Sequence, residues 1–248
     1  MKNRISMIQV GLDGQRLTEH GEHNIGVALD YAEDSVRFQG GKGKAERYAL
    51  TVYDTWRSDN DWYYDLVLHA GSIRSKHNTT DELGTNVRGR YNTAFGSASI
   101  ELGRHFELSE KRKLFIEPQV QIQGTLVKGA NFQATEAARG HQDSMKSLIG
   151  RAGLRFGQDL GDRSKPQNWY VKADVLHDFA GRRGMHLTST DGRDEVSRHM
   201  KGKKTWYDVG AGFNYAIGKD SYLWSDAEYI TGGYKNSWSA NAGIRWKF

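Results

Sequence analysis

The chain has 248 residues, 29 of them glycine, 2 proline and none cysteine. The missing cysteine excludes disulfides, thiolate metal sites and a cysteine nucleophile, and no run approaches the roughly 20 apolar residues of a membrane-spanning helix. The net charge of +5 permits attraction to an anionic surface, but a solvated basic surface accounts for it without nucleic-acid binding.

Period 2 runs the length of the chain, and it predicts eleven strands of about ten residues each. Ile8, Val10 and Leu12 alternate with Gln9, Gly11 and Asp13. Ile25, Val27, Leu29 and Tyr31 flank Gly26 and Asp30, and Leu50 and Val52 flank Thr51 and Tyr53. Tyr64, Leu66, Leu68 and Ala70 oppose Asp65, His69 and Gly71. Ile100 and Leu102 oppose Ser99, Glu101 and Gly103, and Leu114, Ile116, Val120 and Ile122 oppose Glu117, Gln119, Gln121 and Gln123. Leu148, Ala152, Leu154 and Phe156 oppose Arg151, Gly153 and Arg155. Val171, Ala173 and Val175 face away from Lys172, Asp174 and Asp178, as Tyr207, Val209, Ala211, Phe213 and Tyr215 do from Asp208, Gly210, Gly212 and Asn214. Tyr222 to Thr231 is less regular but keeps Asp226 and Glu228 together. The chain closes on Ala242, Ile244, Trp246 and Phe248, with Asn241, Gly243, Arg245 and Lys247 between.

About ten residues is what a tilted strand needs to cross a bilayer. The connections alternate: short at Arg57–Asp61 and Gly218–Asp220, long and polar after Tyr31, Gly71, Gly124 and Phe179. That alternation fits a membrane barrel with short turns at one rim and long loops at the other. Charges of both signs on the second face would be costly in a dry core. The predicted lumen-facing polar set is therefore Asp65, Glu101, Glu117, Gln119, Gln121, Arg151, Arg155, Lys172, Asp174, Asp208, Asp226, Glu228 and Arg245. Trp56, Trp62, Tyr64, Trp169, Tyr207, Tyr215 and Phe248 lie near strand ends, where interfacial girdles sit. Asp54, His177 and Ser225 fall on the lipid face, which places them near the interfaces or calls for bulges that shift the register.

No constellation predicts chemistry. The lumenal carboxylates read as a polar lining balanced by arginine and lysine, not as a catalytic acid pair. The nine histidines lack H-x-x-x-H spacing or a cysteine partner, so no metal site and no cofactor is expected. Gly40-Gly41-Lys42-Gly43-Lys44 lacks P-loop spacing and reads as a flexible surface loop. Gln133 to Arg139 reads as a short turn within a loop, and Asn78-Thr79-Thr80 as a chance sequon. The basic stretch from Arg182 to Lys204 reads as an exposed loop, able to face lipopolysaccharide or simply mobile and solvated. Met1-Lys2-Asn3-Arg4 is basic, but no apolar signal-peptide core follows.

The order and spacing of several segments resemble the C-terminal β-domain of autotransporters (type V secretion) of the AIDA and pertactin type. They include Val10-Gly11-Leu12-Asp13, Tyr53-Asp54-Thr55-Trp56, Asp59-Asn60-Asp61-Trp62-Tyr63-Tyr64-Asp65-Leu66-Val67 and Glu101-Leu102-Gly103-Arg104. They continue in Phe115-Ile116-Glu117-Pro118-Gln119, His141-Gln142-Asp143-Ser144 and Leu148-Ile149-Gly150-Arg151-Ala152-Gly153-Leu154-Arg155. Lys172-Ala173-Asp174-Val175-Leu176-His177-Asp178-Phe179 and Thr205-Trp206-Tyr207-Asp208-Val209-Gly210 complete the match. Asn241, Gly243, Trp246 and Phe248 fit the family's C-terminal insertion signal. The resemblance implies an all-β, antiparallel, 12-stranded transmembrane barrel in the bacterial outer membrane, inserted by the barrel-assembly machinery. It implies contact with outer-membrane lipid and lipopolysaccharide, and export and surface anchoring of the protein's own N-terminal passenger. Against that pattern the eleven predicted strands lack the first. Residues 1–248 are then expected to be an N-terminally truncated translocator domain, without strand 1, lumenal helix, passenger or signal peptide. An outer-membrane barrel enzyme of protease or lipase type would need paired Asp/His or Ser/His groups at strand tops, which the sequence does not display. A soluble ligand-binding barrel would need an apolar interior, which the charged face contradicts.

Overall fold

A computed structural model describes residues 2–38, 40–80, 86–135, 138–161, 167–189, 193, 195–201, 204–218, 220–232 and 236–246. Its strands, in chain order, are β1 Lys2–Thr18, β2 Gly21–Phe38, β3 Gly41–Ser58, β4 Trp62–Thr80, β5 Asn86–Arg104, β6 Phe106–Ser109, β7 Leu114–Val127 and β8 Ala130–Thr135. There follow β9 Ala138–Gln142, β10 Met145–Asp159, β11 Asn168–Asp178, β12 Arg182–Ser189, β13 Glu195–Lys201, β14 Thr205–Ala216, β15 Ser221–Thr231 and β16 Ser237–Trp246. Eleven of them form one antiparallel ladder in the order β1-β2-β3-β4-β5-β7-β10-β11-β14-β15-β16. These are the eleven period-2 segments, but the early ones are longer than expected. The longest of them, β4 and β5, have 19 residues each. The upper ends of these early strands carry polar residues on both faces, and cross-strand pairs such as Lys44 Nζ of β3 to Glu33 Oε2 of β2 at 2.9 Å help hold them.

Burial is inverted relative to a water-soluble domain. Outward Val10 is 71 % exposed and Val120 55 %, whereas inward Gln119 is 3 % and Asp174 5 %. A continuous exposed apolar belt above a buried polar wall is stable only where the outer medium is apolar. Trp56, Trp62, Tyr64, Trp169 and Tyr215 point outward near the short-turn rim. Tyr207 does so near the long-hairpin rim, with Phe179 and Trp238. Phe248 lies outside the described residues.

The outward polar residues keep the unshifted register. Asp54 lies beside Trp56 near the short-turn rim; its carboxylate meets His23 Nδ1 at 2.9 Å and accepts from Tyr64 Oη at 3.0 Å. His177 sits at the other rim with Nδ1 2.8 Å from Thr205 Oγ1. Ser225 donates to the Asn241 carbonyl at 2.9 Å, which satisfies its hydroxyl within the ladder.

Glycines on the inner face have a packing role. The rings of Tyr53, Tyr63, Tyr170 and Trp224 each lie across a glycine of the adjoining strand: Gly26, Gly103, Gly212 and Gly243. A Cβ at Gly103 would sit 2.5 Å from the Tyr63 ring, and one at Gly153 would strike the Asp174 carboxylate. Absent side chains thus let large or charged neighbours lie flat across the wall.

Three stretches read as loops are strand. Gly41 to Lys44 opens β3, after a turn in which Gly40 takes φ 80°. Within Gln133 to Arg139, the described residues Gln133–Thr135 end β8 and Ala138–Arg139 begin β9; within Arg182 to Lys204, Arg182–Ser189 and Glu195–Lys201 pair as β12 and β13. β9 pairs with β12, so the two hairpins join in a four-stranded extension above the ladder. Phe132 anchors it, 6 % exposed, with its ring 5.5 Å from Tyr91 and 5.2 Å from His77.

Candidate functional site

The inner face gathers the polar residues into linked groups. Arg151, on β10, reaches Glu101 at 2.5 Å, Gln121 at 3.0 Å and Asp174 at 3.1 Å, bridging β5, β7 and β11. Arg155 meets Glu117 at 3.0 Å, and its guanidinium stands 4.4 Å from the centre of the Tyr170 ring. Gln119 and the Tyr63 hydroxyl also donate to Glu117, at 2.8 and 3.3 Å. Lys172 crosses Gly210 to pair with Glu228 and lies 3.3 Å from Asp208. Asp65 accepts from Thr55 at 2.7 Å, and Asp226 from Asn241 at 3.1 Å. Charge-assisted bonds of this kind are the strong ones, and among the described residues they leave no isolated carboxylate pair poised as acid and base.

Two groups were not picked out in the sequence. Asp30, 6 % exposed, accepts from Arg47 Nη2 at 2.8 Å and meets His69 Nε2 at 2.9 Å. Only the alternation in β2 placed it inward. His105 sits in the turn after β5, outside the spanning strands, with Nε2 3.2 Å from Asp159 and Nδ1 3.3 Å from Glu117. Those hydrogen bonds, Asp159 foremost, push its pKa up to about 9. It clasps the ends of β7 and β10 at the short-turn rim.

The ladder curls until its first and last strands come within side-chain reach. Arg245 of β16 donates to Asp13 of β1 at 2.7 Å, and Tyr53 donates to the same carboxylate at 2.9 Å. Among the described residues no backbone pairing joins β16 to β1. Of the terminal quartet, Asn241 faces inward, Gly243 lies under the Trp224 ring and Trp246 points outward, 64 % exposed. Phe248 is outside the described residues.

This inverted, curled ladder has close counterparts. The family profile Autotransporter beta-domain matches residues 1–228. The chain is 29% identical to the BrkA autotransporter of Bordetella pertussis over 98% of its own length and 24% of that protein. It therefore spans about a quarter of the length of the curated relatives it matches. The solved β-domain of the Bordetella autotransporter BrkA superposes with a TM-score of 0.76 at 25% identity, covering 99% of this chain and 91% of that one. The translocator domain of autotransporter NalP from Neisseria meningitidis gives 0.74 at 16% identity, over 99% and 80%, a likeness of fold. The chain belongs to the autotransporter β-domain family, whose place is the bacterial outer membrane.

Proposed function

We propose that residues 1–248 act as the translocator unit of an autotransporter, supporting export of a passenger and anchoring it at the cell surface. The observation that carries this reading is the inner wall: charges of both signs, each tied to a fixed partner, behind an apolar belt. A wall of that kind offers a hydrated, net acidic sleeve whose charges are held by neighbouring side chains, which leaves a polar path for a polypeptide. With Glu101, Glu117, Asp174 and Glu228 committed to Arg151, Arg155, Lys172 and His105, this reading requires no catalytic activity. Open sheet edges do not persist in hydrocarbon. Among the described residues the outer edges of β1 and β16 have no backbone partner, and this reading places one further strand between them. The partners in this reading are lipid at the belt, lipopolysaccharide at the basic β12–β13 hairpin, and the barrel-assembly machinery at Asn241, Gly243, Trp246 and Phe248. Nucleic acid has no part in it.

The test is to fuse the chain behind a signal peptide, an epitope-tagged passenger and the closing strand. Trypsin added to intact cells should remove the epitope, while the barrel fractionates with the outer membrane and migrates as a heat-modifiable band. An inserted barrel whose epitope stays protected would rule out translocation. Deleting Phe248 should cut insertion several-fold; unchanged insertion would remove the terminal strand from the targeting role.

A further inference from the structure

The four-stranded extension brings together side chains that sequence spacing keeps apart. Across β9, β12 and β13, His141 pairs with His186 and His186 with Ser197. Two positions along, Asp143 N donates to the Gly184 carbonyl at 3.1 Å, and Gly184 pairs with His199. Residues two apart on a strand share a face. His141, His186, Ser197, Asp143 and His199 therefore converge on one surface, with the bare backbone of Gly184 between the last two.

We propose that Asp143, His186 and His199 form a divalent transition-metal site that pins the two hairpins to each other. Their ligand atoms lie within 4.8 Å of one another. A tetrahedral site with bonds of about 2.0–2.1 Å holds its ligands about 3.3 Å apart. His186 Nε2 and Asp143 Oδ2 already stand at 3.3 Å. The exposed His199 ring needs only a side-chain rotation to join them.

Two features distinguish this cluster from an ordinary surface His–Asp pair. The first is the outer hydrogen-bonding of His186. Its Nδ1 is 2.8 Å from Ser197 Oγ, and that hydroxyl donates onward to Glu195 at 3.2 Å. Ser197 has one proton and gives it to Glu195, so it accepts from Nδ1–H, and the Nε2 lone pair is left facing Asp143. Carboxylate-backed histidine of this kind is the usual support of a metal ligand. The same direction of donation means that His186 takes no proton from the Ser197 hydroxyl, so the trio is not arranged as a histidine-activated nucleophile. The second feature is the cradle. A Cβ at Gly184 would lie 2.0 Å from Asp143 Oδ2 and 3.4 Å from His199 Cδ2, so only glycine lets both side chains lean inward. His141 Nε2 lies 3.5 Å from the other oxygen, Asp143 Oδ1, and its Nδ1 is 2.5 Å from Asn131 Oδ1. It orients the carboxylate from outside and leaves a fourth position open to water. Two nitrogens and one carboxylate oxygen suit Zn²⁺ and its first-row neighbours; calcium and magnesium need more oxygen ligands.

The full chain, folded in detergent micelles and stripped with EDTA, should bind one Zn²⁺ saturably in calorimetric titration. His186→Ala, His199→Ala and Gly184→Ala should each weaken binding by about tenfold or more. His20→Ala, in the short turn between β1 and β2, should leave it unchanged. Heat-modifiable migration identifies the variants that have folded. In wild type alone, Zn²⁺ should also slow trypsin cleavage within the β12–β13 hairpin. Absence of saturable Zn²⁺ binding by wild type, or equal binding by a folded His186→Ala/His199→Ala double variant, overturns the proposal.

Discussion

Arg151 is the side chain on which three acceptors of the inner wall depend, and its removal would leave the largely buried Glu101 with the Tyr63 hydroxyl alone and Asp174 with only Lys172, 3.8 Å away. Breaking a buried pair from one side costs about 3–5 kcal/mol in the driest settings, and a hydrated wall should show the lower end, about 3 kcal/mol. Arg151→Ala should therefore lower the thermal unfolding midpoint in micelles, and adding Asp174→Asn should restore part of the loss. Strictly additive losses in that double variant would show that the two residues are uncoupled. His105 gives the pH counterpart. Its folded pKa, about 9, lies above its ordinary value. A protonated group gaining partners stabilises fully below its unfolded pKa, near 6.5, and loses that contribution as pH rises through the folded value. The unfolding midpoint should fall between pH 6.5 and 9, and His105→Gln should flatten that fall. An identical slope in the variant would remove His105 as its source.

The inward rings seated on glycines set how adjoining strands pack. Gly103→Ala would drive a methyl into the Tyr63 ring, whose hydroxyl also reaches Glu101 at 2.8 Å. Overpacking of this sort costs about 1–3 kcal/mol. Gly103→Ala should therefore unfold at lower denaturant, and Tyr63→Ala in the same chain should relieve part of the penalty. The ladder strands were legible because one face of each is mostly apolar: Leu148, Ala152, Leu154 and Phe156 mark β10 without ambiguity. The hairpins above were not. β12, Arg182–Ser189, alternates Gly184, His186 and Thr188 with Met185 and Leu187, too short and too polar to stand out from a loop. The Asp143, His186 and His199 group was illegible for a related reason. It is assembled across three strands by register, and no spacing along one strand records which residue stands opposite which. Inward-facing polar residues could be listed from period 2, but their partners could not: nothing in the sequence tells that Arg151 takes Asp174 while Arg155 takes Glu117.

At the scale of the whole molecule, the contact between Asp13 and Arg245 reports whether the curl has formed. The chain contains no cysteine, so Asp13→Cys with Arg245→Cys places the only two thiols at the seam. A short bis-maleimide should join them in folded protein, giving a band of altered mobility, and should not in urea. Equal crosslinking in both states would mean that the ends meet without the fold. The pair itself is half-exposed and should contribute no more than about 1 kcal/mol. Its significance is kinetic. Neighbours on the ladder follow one another closely in sequence, and each can zip onto the last as a local hairpin. The seam contact joins residues 232 apart. Loop-closure entropy grows as (3/2)RT ln n, so meeting across that span costs about 3 kcal/mol more than closing a local hairpin. Long-range pairings of this kind form late. The N-terminal edge of the ladder must then wait open while the later strands are laid down, and the interval before closure is when the growing sheet is most open to pairing with the wrong chain.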